Sequence, residues 1–332
     1  MRKSQQIINN KCVSQEQLQD LLIKNDEVFF SFISSFYALK PWTENDLLDV
    51  YNLLKKSNKF LHNTFTDSIS ITATGGELNT RTLYVTPVVS ILLSAFKSTF
   101  LQGNTAISGC GCGNFAEADI MKELGIEFVN QTNVSNIFHK DNFAFLHALT
   151  FHSLLGNYHE IRANLGFRDI FKVASSLADP FLSSNLFICV YSEEQLRYSA
   201  AILAKRKPKH AVLVTGLEGI DEASLKGKTI LADIKNNNIA YIEFLPSMYG
   251  FDCIDSLSEV GSVSTLTDEC NIIVDILKNH EQREKTQFCI LNAGIALYAA
   301  DIVKSIEKGI ELARQTIESG QAYNKYLSLI NH

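Results

Sequence analysis

The sequence predicts an α/β protein in which a small N-terminal helical domain precedes a larger α/β domain with a mostly parallel central sheet covered by helices. Residues 1–66 show helical periodicity and no strand pattern. From Asp67 onward, strand and helix patterns alternate, which is typical of a parallel sheet with helices on its faces. We therefore expect a helical domain over residues 1–66, joined by helices from residues 160–180, and an α/β domain over residues 67–332.

The N-terminal region is expected to consist of successive helices. Ser14 is placed to cap one of them, and Gln17 completes a capping box. The stretch 28–39 is apolar and rich in aromatic residues, so we expect a helix that is buried almost all round. Pro41 ends that helix, and Thr43 begins the next one.

The stretch 67–94 carries the most specific local signal. It opens with alternating apolar and polar residues, as in a half-buried strand, and continues into a turn at Gly75 and Gly76. The apolar run 85–93, with Pro87 in its first turn, predicts a buried helix. A strand, a glycine turn and a helix N-terminus can direct backbone N–H groups at an anion. The alternative is a tight turn that binds no ligand.

The rest of the chain alternates between apolar strands and amphipathic helices. Strands are expected at residues 185–191 and 211–215, with shorter ones at 229–232 and 240–244 around an Asn-rich turn. Helices are expected at residues 116–124, 193–204, 265–279, 288–300 and 306–319.

The composition is that of an ordinary soluble globular protein, with 46% hydrophobic and 20% charged residues. A net charge of −6 without a basic stripe argues against nucleic acid as a partner. No apolar run reaches the roughly 18 residues that span a membrane, so no membrane association is expected. The seven scattered cysteines and the absence of a signal-peptide pattern predict free thiols in a reducing cytoplasm.

Two adjacent carboxylates, Asp221 and Glu222, follow a turn that begins at Gly219. Because Mg²⁺ favours one or two carboxylates together with phosphate oxygens and water, the pair is a candidate magnesium site. The alternative is that the pair caps the next element. Cys110 and Cys112 form a Cys-x-Cys pair, but no second Cys or His pair stands at a metal-binding spacing, so zinc is not predicted.

Six motifs occur in the order and spacing of one family. They are the helical pattern of residues 13–50, A-T-G-G-E at 73–77, Q-G-N at 102–104, F-H at 151–152 with I-R-A-N-L-G-F-R at 161–168, G-I-D-E at 219–222, and the helices at 291–297 and 309–320. On these motifs the chain, from about residue 13 to residue 326, resembles the anthranilate phosphoribosyltransferase family. That family shares a fold with pyrimidine nucleoside phosphorylases.

The resemblance implies transfer of the phosphoribosyl group of phosphoribosyl diphosphate to an aromatic acid or amine, with anthranilate, as in tryptophan biosynthesis, the default acceptor. It implies Mg²⁺ as cofactor and a homodimer formed through the apolar N-terminal helices. Because the transition state resembles an oxocarbenium ion, positioning and charge stabilisation dominate, and no catalytic residue is assigned.

The resemblance also implies three groups of site residues. The residues implied to bind phosphoribosyl diphosphate are Thr74, Gly75, Gly76, Glu77, Arg81, Thr86, Gly103 and Ser108. Those implied to bind the acceptor are Asn104, His152 and Arg162, and those implied to bind the metal are Asp221 and Glu222. An arginine suits an aromatic carboxylate because it offers two parallel donors. The alternatives are a cap for Asn104, an ordinary polar side chain for His152, and a surface ion pair with Glu160 or Asp169 for Arg162.

The departures from the family pattern fall mainly on the diphosphate side. The family's lysine and histidine before Gly-Asn are replaced, and of its N-x-S-T segment only Thr86 remains. Arg81 is new and is a candidate to replace the lost lysine charge. A glycine-rich loop at residues 109–113 stands where the family has a serine-bearing phosphate loop. The departing residues are Ala73, Glu77, Leu83, Tyr84, Val85, Leu101, Gln102 and Ser153.

Two classes of function stay open at this point. The first is a working phosphoribosyltransferase, including one with a different acceptor. A nucleoside phosphorylase is disfavoured because its lysine- and serine-bearing phosphate signature is not found. The second is a non-catalytic or altered-specificity paralogue that binds a metabolite or partner on the same scaffold. The pair Asp221 and Glu222 argues for the first class, and the lost lysine argues for the second.

Overall fold

A computed structural model describes residues 3–24, 26–58, 65, 67–75, 81–103, 115–130, 132–165, 169–280 and 283–331. The helices in these segments are α1 (Lys3–Asn10), α2 (Gln15–Lys24), α3 (Glu27–Leu39), α4 (Glu44–Ser57), α5 (Val85–Leu93), α6 (Glu117–Glu123), α7 (Val134–Asp141), α8 (Ala148–Phe151), α9 (Ser153–Asn157), α10 (His159–Leu165), α11 (Ile170–Leu177), α12 (Glu193–Arg206), α13 (Leu266–Leu277), α14 (Arg283–Ala299), α15 (Ile306–Glu318) and α16 (Gln321–Ile330). The strands are β1 (Ile69–Ala73), β2 (Thr99–Gly103), β3 (Phe128–Val129), β4 (Phe143–His147), β5 (Asn185–Cys189), β6 (His210–Gly216), β7 (Thr229–Lys235) and β8 (Asn238–Phe244).

The strands form one sheet in the order β3-β4-β2-β1-β5-β6-β7-β8. The first six in this order run parallel, whereas β7 pairs antiparallel with both β6 and β8. The prediction of an α/β fold with a helical N-terminal region and a mostly parallel sheet is therefore confirmed. The hairpin between β7 and β8 turns through Asn236 and Asn237, whose positive φ angles of 51° and 66° suit a type I′ turn.

Both faces of the sheet are covered, as the alternation of strand and helix patterns predicts. Along β5, Phe187 and Cys189 join one apolar cluster, whereas Leu186 and Ile188 join another, because successive strand residues face opposite sides. Helices α5, α13 and α14 complete the first cluster, and α11, α12 and the N-terminal helices complete the second. Helix α5 spans the predicted residues, and every one of them is buried.

The N-terminal helices begin at the expected caps. The backbone N–H of Ser14 donates to Gln17 Oε1 at 2.9 Å, and the N–H of Gln17 donates to Ser14 Oγ at 3.3 Å. Thr43 forms an equivalent capping box with Asp46 before α4. Helices α10 and α11 pack against α3 and α4, and a domain boundary at residues 66 and 67 stays a prediction.

Helix α3 differs from its prediction. On its buried face, Phe30 stacks on the ring of Tyr158 with the centroids 4.1 Å apart. Val28 is 81% exposed and Leu39 is 88% exposed. The prediction of burial almost all round is wrong for the single chain, because α10 and α11 cover the side of Phe30 and leave the opposite side open. None of the helices in the described segments is long and apolar enough to cross a bilayer.

Candidate active site

The candidate active site lies where four parallel strands end side by side. Strands β1, β2, β5 and β6 have their carboxyl ends at one edge of the sheet, because they pair in parallel. Ligands of open α/β sheets bind outside this edge. The turn after β1 carries the glycine motif, and the connection after β6 carries the acidic pair.

The acidic pair contacts the glycine turn directly. The backbone N–H of Gly75 donates to Asp221 Oδ2 at 2.8 Å, and Thr82 Oγ1 donates to Glu222 Oε2 at 3.0 Å. Both carboxylates are buried, with Asp221 1% exposed and Glu222 6% exposed. The two acids therefore bind residues on either side of segment 76–80, and neither of them caps a helix.

The backbone beside the acidic pair is held by a polar residue of α14. The side chain of Asn292 accepts from the N–H of Ala223 at 2.9 Å and donates to the carbonyl oxygen of Ala223 at 3.1 Å. Asn292 is fully buried in a helix that is otherwise largely apolar. Sequence reasoning gave it no role, although a lone amide inside an apolar helix indicates a specific polar partner.

The acidic pair is electrostatically suited to a cation. Burial raises the pKa of Glu222 well above its ordinary value, and the adjacent charge of Asp221 raises it further. No cluster of three or more Asp, Glu, His or Cys residues that could hold a metal occurs in the described segments. Two carboxylates fit Mg²⁺ when the remaining ligands are phosphate oxygens and water. The pair thus fits a magnesium ion that is shared with a diphosphate.

The described part of the glycine turn is held by hydrogen bonds to β5 and the residues after it. The N–H of Thr74 donates to the carbonyl oxygen of Cys189 at 2.8 Å, and Thr74 Oγ1 accepts from the N–H of Tyr191 at 3.2 Å. Gly75 has a φ of +62°, a left-handed conformation that glycine adopts without strain. The turn is therefore fixed to the sheet edge with its backbone close to Asp221.

The N-terminus of α5 points out of the same edge, and Thr86 lies in its first turn, 4% exposed. The N–H of the preceding Tyr84 donates to Glu269 Oε1 at 2.9 Å. Oε2 of the same carboxylate accepts from Ser262 Oγ at 2.9 Å and from the N–H of Val263 at 3.0 Å. Glu269, which sequence reasoning missed, thus fixes the start of α5 from a distant helix.

Of the remaining residues implied to bind the diphosphate, the structure describes some and not others. Arg81 is exposed, and its carbonyl oxygen accepts from the N–H of Ser262 at 2.9 Å. Gly76, Glu77, Asn104 and Ser108, together with Cys110 and Cys112, lie outside the described residues.

Gly103 ends β2 at the same edge and packs against α6. A Cβ atom on Gly103 would lie 2.8 Å from Glu117 Cβ and 2.9 Å from Phe145 Cε2, so a larger residue does not fit without a shift. Burial raises the pKa of Glu117 against the opposing charge of Lys172, and the charge of Asp221 adds to the rise. Sequence reasoning did not identify Glu117, because an acid in the first turn of a helix is ordinary.

His152 lies in a buried hydrogen-bonded chain between the N-terminal helices and the sheet. Its Nδ1 contacts Asn58 Oδ1, and its Nε2 lies 3.2 Å from Gln102 Nε2. Gln102 Nε2 also donates to the carbonyl oxygen of Ser175 at 3.0 Å. Burial lowers the pKa of His152 to about 3, so the ring is neutral, with Nδ1 the donor and Nε2 the acceptor.

Arg162 forms a two-point ion pair with Asp169, the N-cap residue of α11. Arg162 Nε lies 2.9 Å from Asp169 Oδ2, and Arg162 Nη2 lies 3.1 Å from Asp169 Oδ1. The side chains are 5% and 3% exposed. The sequence offered Asp169 and Glu160 as alternative partners in a surface ion pair. The partner is Asp169, and the ion pair is buried.

Comparisons with known proteins agree with this geometry. Residues 65–323 match the family model described as glycosyl transferase family, a/b domain. Anthranilate phosphoribosyltransferase of Halalkalibacterium halodurans is 27% identical over 309 residues, which are 92% of this chain and 88% of the relative. The enzyme of the same name from Bacillus cereus is 27% identical over 330 residues, which are 98% of this chain and 95% of the relative.

Solved structures show the same fold. The crystal structure of anthranilate phosphoribosyltransferase from Thermus thermophilus has a TM-score of 0.84 at 20% identity, with 99% of this chain and 98% of that chain covered. The enzyme from Saccharomyces cerevisiae in complex with PRPP (phosphoribosyl diphosphate) and Mg has a TM-score of 0.80 at 20% identity, with 96% and 90% covered.

The chain belongs to the glycosyl transferase family and is an enzyme of the pentosyltransferase class. Within that class, the resemblance to the anthranilate phosphoribosyltransferase family is confirmed, and the chain is a divergent member of it.

Proposed function

We propose that this protein transfers the phosphoribosyl group of phosphoribosyl diphosphate to a nitrogen atom of a small aromatic acceptor in a magnesium-dependent reaction. The observation that carries the proposal is the contact between Gly75 and Asp221, which joins the glycine turn and the acidic pair in one site. Anthranilate, which gives the relatives their name, is the first acceptor to test, and a role in tryptophan biosynthesis is part of the proposal.

In this mechanism the chain positions charges rather than forming covalent bonds to the substrate. The N-terminus of α5 faces the diphosphate, where the helix dipole favours an anion, and the contact of Gly75 with Asp221 holds the acidic pair beside it. Asp221 and Glu222 would hold Mg²⁺, which neutralises charge on the departing diphosphate. Asn292 and Glu269 keep the acidic pair and the helix in place without touching the substrate.

The lost family lysine has no charged equivalent at its own position. Leu101 is fully buried in the apolar cluster on one face of the sheet. Arg81 is exposed at the end of the diphosphate loop, and we propose that it supplies the missing charge. An Arg81→Ala variant is expected to bind phosphoribosyl diphosphate at least about tenfold more weakly, since a charge-assisted hydrogen bond is lost. Unchanged affinity would remove Arg81 from the site.

The test combines binding and turnover. The protein is mixed with Mg²⁺, phosphoribosyl diphosphate and anthranilate, and the loss of anthranilate fluorescence and the thermal shift are followed. Asp221→Asn is expected to abolish the magnesium-dependent shift, whereas Asp255→Asn, which changes an exposed acid outside the pair, is expected to retain it. Absence of both turnover and a shift with the diphosphate would favour the alternative, a paralogue that binds a metabolite or partner without catalysis.

We further propose a cytoplasmic homodimer formed through the exposed side of α3. Val28 and Leu39 present apolar surface there, and none of the described cysteines forms a disulfide. Sedimentation of the wild type and of a Val28→Asp variant tests the proposal. A dimer that dissociates in the variant supports it, and a wild-type monomer contradicts it.

A further inference from the structure

We propose that Asp169 excludes a carboxylate from the acceptor side of the site, so that the acceptor is a neutral aromatic compound with an N–H donor. This inference rests on the proposed phosphoribosyl transfer and names the class of its acceptor. It starts from the ion pair between Arg162 and Asp169, because Arg162 is the residue that the family resemblance assigns to the acceptor.

The chain itself fills the place that an acceptor carboxylate would take on Arg162. A planar guanidinium binds a carboxylate through two parallel N–H···O bonds. Here Nε and Nη2 of Arg162 already make that contact with the two oxygens of Asp169, at 2.9 and 3.1 Å. With the arginine side chain only 5% exposed, an incoming acid has little access to the guanidinium.

Asp169 is fixed in this position by more than the arginine. Its Oδ1 also accepts from the N–H of Lys172 at 2.9 Å, so the carboxylate caps α11. Its side chain is 3% exposed. An acid that displaced it would leave a buried carboxylate without its cation and would remove a helix cap. Competition from a substrate carboxylate is therefore strongly disfavoured.

The other groups of the acceptor side are neutral. Asn58, His152 and Gln102 form a buried chain that carries no formal charge, since burial keeps the imidazole unprotonated. None of them supplies a positive charge that could hold a carboxylate in place of Arg162. An acidic acceptor would therefore lose its hydration without gaining an ion pair, whereas a neutral acceptor loses less.

For a neutral acceptor, every bond, electron pair and proton of the phosphoribosyl transfer is accounted for. The acceptor nitrogen forms a bond to the anomeric carbon, the bond from that carbon to the diphosphate oxygen breaks, and diphosphate leaves with the electron pair. The proton of the attacking nitrogen passes to the solvent. None of these steps needs a carboxylate on the acceptor.

The test compares anthranilate with 2-aminobenzamide, its neutral counterpart, in the presence of Mg²⁺ and phosphoribosyl diphosphate. Binding is followed by the fluorescence of each acceptor, and turnover by diphosphate release. We expect the wild type to prefer 2-aminobenzamide by at least about tenfold in Kd and in kcat/KM, a difference of about 1.4 kcal/mol. Equal use of both acceptors, or a preference for anthranilate, overturns the inference.

Two variants separate specificity from folding. Asp169→Asn keeps a capping side chain but frees the charge of Arg162. The ratio of kcat/KM for 2-aminobenzamide to kcat/KM for anthranilate is therefore expected to fall by at least about tenfold. Glu160→Gln removes an exposed charge from α10 and is expected to keep the wild-type ratio. An unchanged ratio in folded Asp169→Asn overturns the inference. If that variant does not fold, the wild-type ratio decides.

Failure of the inference is distinguishable from failure of the proposed function. A wild type that binds phosphoribosyl diphosphate but neither acceptor overturns the inference and leaves diphosphate binding intact. A wild type that gives no thermal shift with phosphoribosyl diphosphate and Mg²⁺ overturns both.

Discussion

The buried neutral ring of His152 predicts a loss of stability in mild acid. Burial lowers the pKa of His152 from 6.5 to about 3. As the pH falls below about 6.5, the unfolded chain takes up a proton at this residue, whereas the folded chain does not until about pH 3. Stability therefore decreases through that window. Between about pH 7.5 and about pH 5, the contribution of this one residue is about 2 kcal/mol of lost unfolding free energy.

Denaturant unfolding at the two pH values measures the effect. A His152→Gln variant is expected to lose about 2 kcal/mol of the wild-type pH dependence, whatever its stability at neutral pH. His280→Gln changes an exposed histidine and is expected to keep the wild-type dependence. The reasoning is refuted if the variant retains the full dependence, or if NMR of the ring carbons shows His152 titrating between about pH 6 and pH 7.

Three other perturbations have defined outcomes. Gly309→Ala is expected to destabilise the protein by about 3 kcal/mol in thermal unfolding, because the new Cβ would lie 2.1 Å from the carbonyl oxygen of Gly294. Glu269→Ala removes the carboxylate that accepts from three donors and is expected to cost more than about 3 kcal/mol; a mild effect would contradict its role at α5. Asn292→Leu releases the backbone of Ala223 and is expected to raise the Mg²⁺ concentration needed for activity about tenfold, with the overall fold retained in circular dichroism.

The sequence predicted those helices whose formation depends on residues that are close together in the chain. The capping box at Ser14 and the apolar run of α5 depend only on neighbours in the sequence, and both appear as expected. Helices α7 and α16 were not predicted, because they are short and their stability comes from packing rather than from a strong apolar repeat. Neither the antiparallel direction of β7 and β8 nor the open face of α3 follows from hydrophobicity alone.

The candidate site was predictable as a set of motifs but not as a set of contacts. The acidic pair and the glycine turn are 146 residues apart in sequence, and only the parallel strand order brings Asp221 to Gly75. Glu269 reaches Tyr84 across 185 residues, so no local pattern indicates it. For Arg162, the sequence offered Asp169 as one of two partners, but the burial that makes the pair decisive depends on how α10 and α11 pack.

The chain Asn58–His152–Gln102 also has a mechanical consequence. Asn58 lies where the backbone leaves α4 toward the sheet, and His152 lies between α8 and α9. Asn58 Nδ2 donates to the carbonyl oxygen of Ala178 at 3.4 Å, and Ala178 precedes the return of the chain to β5. Three passages of the backbone between the helices and the sheet thus meet at one buried point. Because separating these groups would expose unpaired polar atoms, a reorientation of the N-terminal helices would pivot about this point and would be largest at the helix ends farthest from it.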